Sequence, residues 1–145
     1  MIRWGINGYF VGLYETQAQA DEILTQIRIP IPAAGSGWSY IKFKRKTGDF
    51  ATAAAAVLLQ MKGGTVARVS IALTNAGPTP LKCCKAEDYL FGKPIDDNTL
   101  NEAARLATEP CAPSACLRGD ADYKTAMAGE MARRALLTAH SRAKA

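Results

Sequence analysis

The chain has 145 residues, 48% of them hydrophobic and 21% charged, which suits one soluble domain with a core and falls short of two full domains. No run approaches the length of a membrane-spanning helix. The opening Met1-Ile-Arg-Trp-Gly-Ile-Asn-Gly8 lacks the apolar stretch of a secretory signal, so the expected compartment is cytoplasmic, with no membrane partner. The formal net charge of +5 permits an anionic partner and requires none. Part of it lies after Glu130, where Arg133, Arg134, Arg142 and Lys144 follow without an acid, as suits the negative end of a helix dipole.

In chain order, residues 9–14 form a short apolar run, and residues 22–29 alternate, with Ile23, Ile27 and Ile29 on one side, which predicts a strand. After the breaker cluster Pro30-Ile-Pro32-Ala-Ala-Gly35-Ser-Gly37, the run Trp38-Ser-Tyr-Ile-Lys-Phe-Lys-Arg-Lys46 alternates again. Ile41 and Phe43 face one way; Lys42, Lys44 and Lys46 face the other, as in a half-buried strand with a basic face. Residues 51–60 are ambiguous. Four consecutive alanines favour a helix by propensity, yet Gly63-Gly64 and the apolar run 65–73 that follows read as a hairpin, so a strand is expected. The remainder reads as helical. Asp96-Asp97 can cap a helix over 99–108, and Asp120 one of about twenty residues in which Tyr123, Met127 and Met131 make a core stripe. Strands first and helices after predict an α+β domain: a small antiparallel β-sheet with helices packed on one face.

Catalytic chemistry has little material. The single histidine, His140, is expected on a solvated helix end and serves no triad. Cys83, Cys84, Cys111 and Cys116 lack metal-ligand spacing and are expected as free thiols, the alternative being a Cys111–Cys116 bridge. Neither Gly35-Ser-Gly37 nor Gly63-Gly64 leads into a helix as a phosphate-cradling loop must. Arg118-Gly-Asp120 matches an adhesion tripeptide by accident, since Asp120 already has a capping role. The segment 42–50, basic with interleaved aromatics, fits a nucleotide cofactor, a nucleic-acid backbone or a solvated edge strand.

The run Tyr40-Ile-Lys-Phe-Lys-Arg-Lys-Thr-Gly-Asp-Phe-Ala51, with its Gly-Asp-Phe-Ala segment, resembles the opening of the C-terminal domain of carbon monoxide dehydrogenase medium subunits. The same domain occurs in related molybdenum hydroxylases of the xanthine dehydrogenase type. The likeness continues through Ser70-Ile-Ala-Leu-Thr-Asn-Ala-Gly-Pro-Thr-Pro80, Ala86-Glu-Asp-Tyr-Leu90 and Leu117-Arg-Gly-Asp-Ala-Asp-Tyr-Lys124. Residues 10–16 and 21–30 resemble the close of the preceding FAD-binding domain. The implied division is therefore 1–34, a remnant of that domain, and 35–145, the flavoprotein C-terminal domain.

The resemblance implies an oxidoreductase subunit that carries electrons on FAD between an iron–sulfur subunit, a molybdenum subunit and a final acceptor. It implies cofactor-binding roles for Lys42, Asp49 and Phe50: the lysine offsets charge on reduced flavin, and the aromatic packs on the ring. Where this chain has Phe50, many carbon monoxide dehydrogenases carry tyrosine. The two glycine-rich loops that hold the FAD phosphates in the family have no counterpart here. The isolated chain is therefore expected to be inactive and to need the FAD-binding N-terminal domain and its partner subunits. The apolar residues before Pro30 still need burial, either by folding back onto the domain's own sheet or by pairing with a second chain, and a homodimer through them is expected. The alternatives are a stand-alone interaction module and, less favoured, a nucleic-acid binder using Lys42, Lys44 and Lys46.

Overall fold

The computed structural model describes residues 5, 6 and 8–143. Lys144, Met1 and most of the N-terminal octapeptide lie outside the described residues. Two short strands, β1 (Phe10–Gly12) and β2 (Glu15–Thr16), pair only with each other. Four strands then form an antiparallel sheet in sequence order: β3 (Ser36–Phe43), β4 (Ala53–Lys62), β5 (Thr65–Thr74) and β6 (Leu81–Lys82). Helices α1 (Cys84–Leu90), α2 (Asp97–Thr108) and α3 (Ala121–Ala143) follow. The fold is the expected α+β arrangement.

The alanine-rich run is strand β4, at the centre of the sheet. Hydrogen bonding to β3 on one side and β5 on the other outweighs alanine's helix propensity. Its turn is the expected one. Lys62 pairs with Thr65 across Gly63 and Gly64, whose φ values of 59° and 80° match a two-residue hairpin turn that favours glycine at both positions. Inward-facing Ala53, Ala55, Val57 and Leu59 of β4 meet Ile71 and Leu73 of β5 and Ala132, Ala135, Leu136 and Ala139 of α3 in one core. Fully burying each of the large aliphatics contributes about 1.5–3 kcal/mol. Small side chains let α3 lie directly on the sheet. A Cβ at Gly37 would sit 1.9 Å from the Ala139 carbonyl oxygen and 2.5 Å from the Ala143 nitrogen.

Both expected helix starts are present. The Asp96 side chain accepts from the Thr99 N–H at 2.8 Å, and Asp120 accepts from the Tyr123 N–H at 2.8 Å. The four cysteines are free thiols. Several expectations are corrected. Residues 22–29 form no strand and are largely exposed, because alternation makes a strand only where a neighbour supplies ladder hydrogen bonds, and none pairs with them here. Strand β3 stops at Phe43, so Lys44 and Lys46 sit in the turn that follows and share no strand face with Lys42. Ile41 and Phe43 are half-buried against the core as expected. Of the α3 stripe, Met131 is buried and Met127 packs on the core, while Tyr123 is exposed at the rim with its ring 6.5 Å from that of Phe43. His140 is half-buried rather than solvated. Helix α1 lies in the stretch that reads as helical but is not marked there as a separate element, and strand β6 interrupts that stretch.

Candidate functional site

The connection between β3 and β4 carries the candidate site. Leaving β3, the chain turns at Gly48, whose φ of 82° favours glycine, and the Asp49 N–H reaches back to the Lys46 carbonyl at 3.2 Å. The loop closes where the Thr52 N–H donates to the Phe43 carbonyl at 2.8 Å. Two side chains from distant segments clamp its far limb. Asn75, held at a φ of 59° that asparagine tolerates, donates through Nδ2 to the Ala51 and Thr52 carbonyls at 2.9 and 3.0 Å. Arg118 Nη2 donates to Asp49 Oδ1 at 2.6 Å. Between the clamps stands Phe50, 81% exposed, with the Arg118 guanidinium 6.0 Å from its ring centroid.

The sequence-predicted residues divide accordingly. Asp49 and Phe50 are neighbours in the clamped limb. The Asp49 side chain is only 9% exposed and also contacts Arg45 at 3.4 Å. The hydrogen-bonded Arg118 guanidinium holds its carboxyl below the usual carboxylate range. Lys42 lies at the same end of the sheet but on the helix-free face, beside Ala54 of β4. That face also exposes Trp38, Tyr40 and Leu58. A row of three lysines suited to a nucleic-acid backbone is not formed, since two of them leave the strand.

A flavin ring is planar, electron-poor and anionic when reduced. An exposed aromatic face with a guanidinium beside it and a lysine at the same sheet end fits such a group. Neither glycine cluster offers a cradle for the phosphate end of the cofactor: Gly35 leads into β3 and Gly63-Gly64 into β5, so neither presents a helix N-terminus. Sequence reasoning missed Arg118 and Asn75. Their partners are 69 and 23–24 residues away, so no local signal exists, and the local pattern at Arg118 is no more than a chance tripeptide. Among the described residues, no group of three or more acidic, histidine or cysteine side chains is placed to hold a metal ion. Among the described residues, no helix is long and apolar enough to cross a membrane.

A two-layer α+β domain with one clamped aromatic loop is the class defined by this geometry. The sequence pattern of the CO dehydrogenase flavoprotein C-terminal domain matches residues 38–139, and the chain belongs to that family. It is 47% identical over 136 residues to the carbon monoxide dehydrogenase medium chain of Hydrogenophaga pseudoflava, covering 94% of this chain and 47% of that one. It is 48% identical, with the same coverage, to the corresponding chain of Afipia carboxidovorans. A solved structure of the Hydrogenophaga pseudoflava carbon monoxide dehydrogenase superposes with a TM-score of 0.92 at 50% identity, covering 94% of this chain and 47% of that one. The chain thus spans about half the length of the curated relatives it matches.

Proposed function

We propose that this chain acts as the flavin-covering, C-terminal part of the medium subunit of a molybdenum hydroxylase of the carbon monoxide dehydrogenase type. The observation that carries the reading is Phe50: a large apolar ring held in solvent by clamps on both sides of it is built to be covered. Bound FAD supplies electron transfer between the enzyme's iron–sulfur carriers and an external acceptor. The chain's own residues bind and orient. Phe50 packs against the ring and excludes water from one side, Lys42 offsets negative charge, and Asp49 shapes the loop that carries Phe50. The helix-free face with Trp38, Tyr40 and Leu58 receives the FAD-binding half, and the iron–sulfur and molybdenum subunits complete the assembly.

Dinucleotide affinity resides largely in backbone groups around the pyrophosphate, and contacts to the ring alone support binding no tighter than about millimolar. The chain purified by itself is therefore expected to be colourless. Mixed with the separately expressed N-terminal half of the Hydrogenophaga pseudoflava medium chain, it is expected to form a yellow complex whose flavin content falls in Phe50→Ala. A yellow preparation of the chain alone, or no complex with that half, overturns the reading.

In isolation we propose a homodimer formed through residues before Pro30. Leu13, Tyr14, Ile23, Ile27 and Ile29 are all at least 70% exposed, and association through a self-complementary twofold contact covers them without a new partner. Residues 1–34 are read with it as the close of the preceding FAD-binding domain. Light scattering is expected to give a dimer for the whole chain and a monomer for a chain beginning at Gly35. A monomeric whole chain, or a dimer indifferent to the deletion, defeats the proposal.

A further inference from the structure

We propose that Arg118 is a positioning residue for this site: by gripping Asp49 it fixes the 44–50 loop and holds the Phe50 ring outward. The inference rests on the reading of Phe50 as the flavin-facing aromatic and adds a residue that the loop itself does not contain.

Arg118 can serve as an anchor because its own segment is pinned at several points. The Ala112 N–H donates to the Ala76 carbonyl at 2.8 Å. The Lys124 side chain, almost wholly buried, donates through Nζ to the Ser114 carbonyl at 2.6 Å. Cys116 and Gly119 exchange backbone hydrogen bonds, both at 3.0 Å, and Asp120 then caps α3. At Gly119 the φ of 144° favours glycine, and a Cβ would meet the Tyr123 ring at 2.5 Å. The strap before α3 is thus tied down by backbone and side-chain hydrogen bonds on both sides of Arg118, and Arg118 is the side chain by which it reaches the β3–β4 loop.

The contact is not a loose surface pair. The two side chains are 25% and 9% exposed, so removing the Arg118 cation leaves a poorly hydrated carboxylate with only the longer 3.4 Å contact to Arg45. The Asp49 side chain is turned inward, and Phe50, the next residue, projects outward. Fixing the first fixes the direction of the second. Arg118 Nε is buried without an acceptor, so the grip on Asp49 comes from Nη2 alone. A lysine at 118 can reproduce such a single-point grip in part.

Hydrogen exchange of backbone amides in the whole chain tests the latch directly, comparing wild type with Arg118→Ala, Asp49→Asn and Arg118→Lys. Loss of a charge-assisted hydrogen bond is expected to speed exchange at residues 47–52 by about tenfold or more in the first two variants. The amides of β4 and β5 should stay protected, and Arg118→Lys should recover part of the loss. In parallel, FMN is titrated into each protein and the Phe50 ring protons are followed by NMR. Wild type is expected to show shifts, weakened several-fold in Arg118→Ala and Asp49→Asn and partly restored in Arg118→Lys. If Arg118→Ala fails to fold, the near-isosteric Asp49→Asn carries the comparison. Unchanged exchange at 47–52 overturns the latch. Faster exchange with an unaltered FMN response overturns the positioning role. No FMN-induced shift at Phe50 in wild type with FMN raised to about 10 mM, above the millimolar range set by ring contacts alone, overturns the flavin reading on which the role rests, and the exchange measurement, which contains no flavin, tells these cases apart.

Discussion

Cys83 and Cys116 show how far environment separates chemically identical side chains. Cys83 is buried in the core, and desolvation pushes its thiol up to about 12. Cys116 is exposed on the strap before α3, where the neighbouring Lys124 and the Arg118 N–H, 3.4 Å from its sulfur, lower its pKa. Cys111 is half-buried and raised by desolvation; Cys84 is exposed. Alkylation follows the thiolate. Iodoacetamide at neutral pH is therefore expected to modify Cys116 first, then Cys84, then Cys111, with Cys83 reacting only on unfolding. Peptide mass spectrometry over a time course gives the order, and early labelling of Cys83 contradicts the packing described.

Among the elements, α3 depends on two glycines in different ways. At Gly37 an added methyl would strike the α3 backbone, which cannot turn aside. Gly37→Ala is expected to cost about 2 kcal/mol and lower Tm by roughly 5–10 °C. At Gly129 the nearest atom is Thr108 Cγ2, 2.8 Å away on a side chain rather than backbone, although turning it aside gives up the Thr108 Oγ1 hydrogen bond to the Arg105 carbonyl. Replacing a mid-helix glycine by alanine also gains about 1 kcal/mol of helix propensity. Gly129→Ala should therefore leave Tm within a few degrees, and thermal melts of the two variants side by side check the contrast. Legibility in the sequence follows the same local logic. Strand β4 was readable through Gly63-Gly64 in spite of its alanines, and both helix caps through Asp96 and Asp120, because each signal lies within a few residues of its effect. Helix α1 was hidden: it opens on Cys83-Cys84, with no side-chain cap hydrogen bond to announce it. Residues 22–29 misled because alternation describes a strand's faces and says nothing about whether a neighbour exists.

For the whole molecule, the division between legible and hidden falls along sequence distance. Lys42, Asp49 and Phe50 are candidates that the family resemblance singles out within one continuous segment; Arg118 and Asn75, which hydrogen-bond to that segment, come from other loops. The close of α3 on Gly37 has a further consequence. Arg142 Nη1 donates to the Trp38 carbonyl at 2.7 Å, and its guanidinium stacks 4.7 Å from the Trp38 ring. The C-terminal end of the domain therefore lies against the beginning of its first sheet strand, while the Gly63-Gly64 turn is exposed with nothing packed around it. Closely spaced ends and a free turn are the conditions under which a chain tolerates circular permutation. A permutant that joins residue 143 to residue 36 through a short glycine-serine linker and begins at Gly64 is expected to fold with a Tm near that of a chain spanning residues 35–143. A domain closed on itself in this way can be carried as a cassette, attached behind a preceding domain or encoded apart from it, without rebuilding its core.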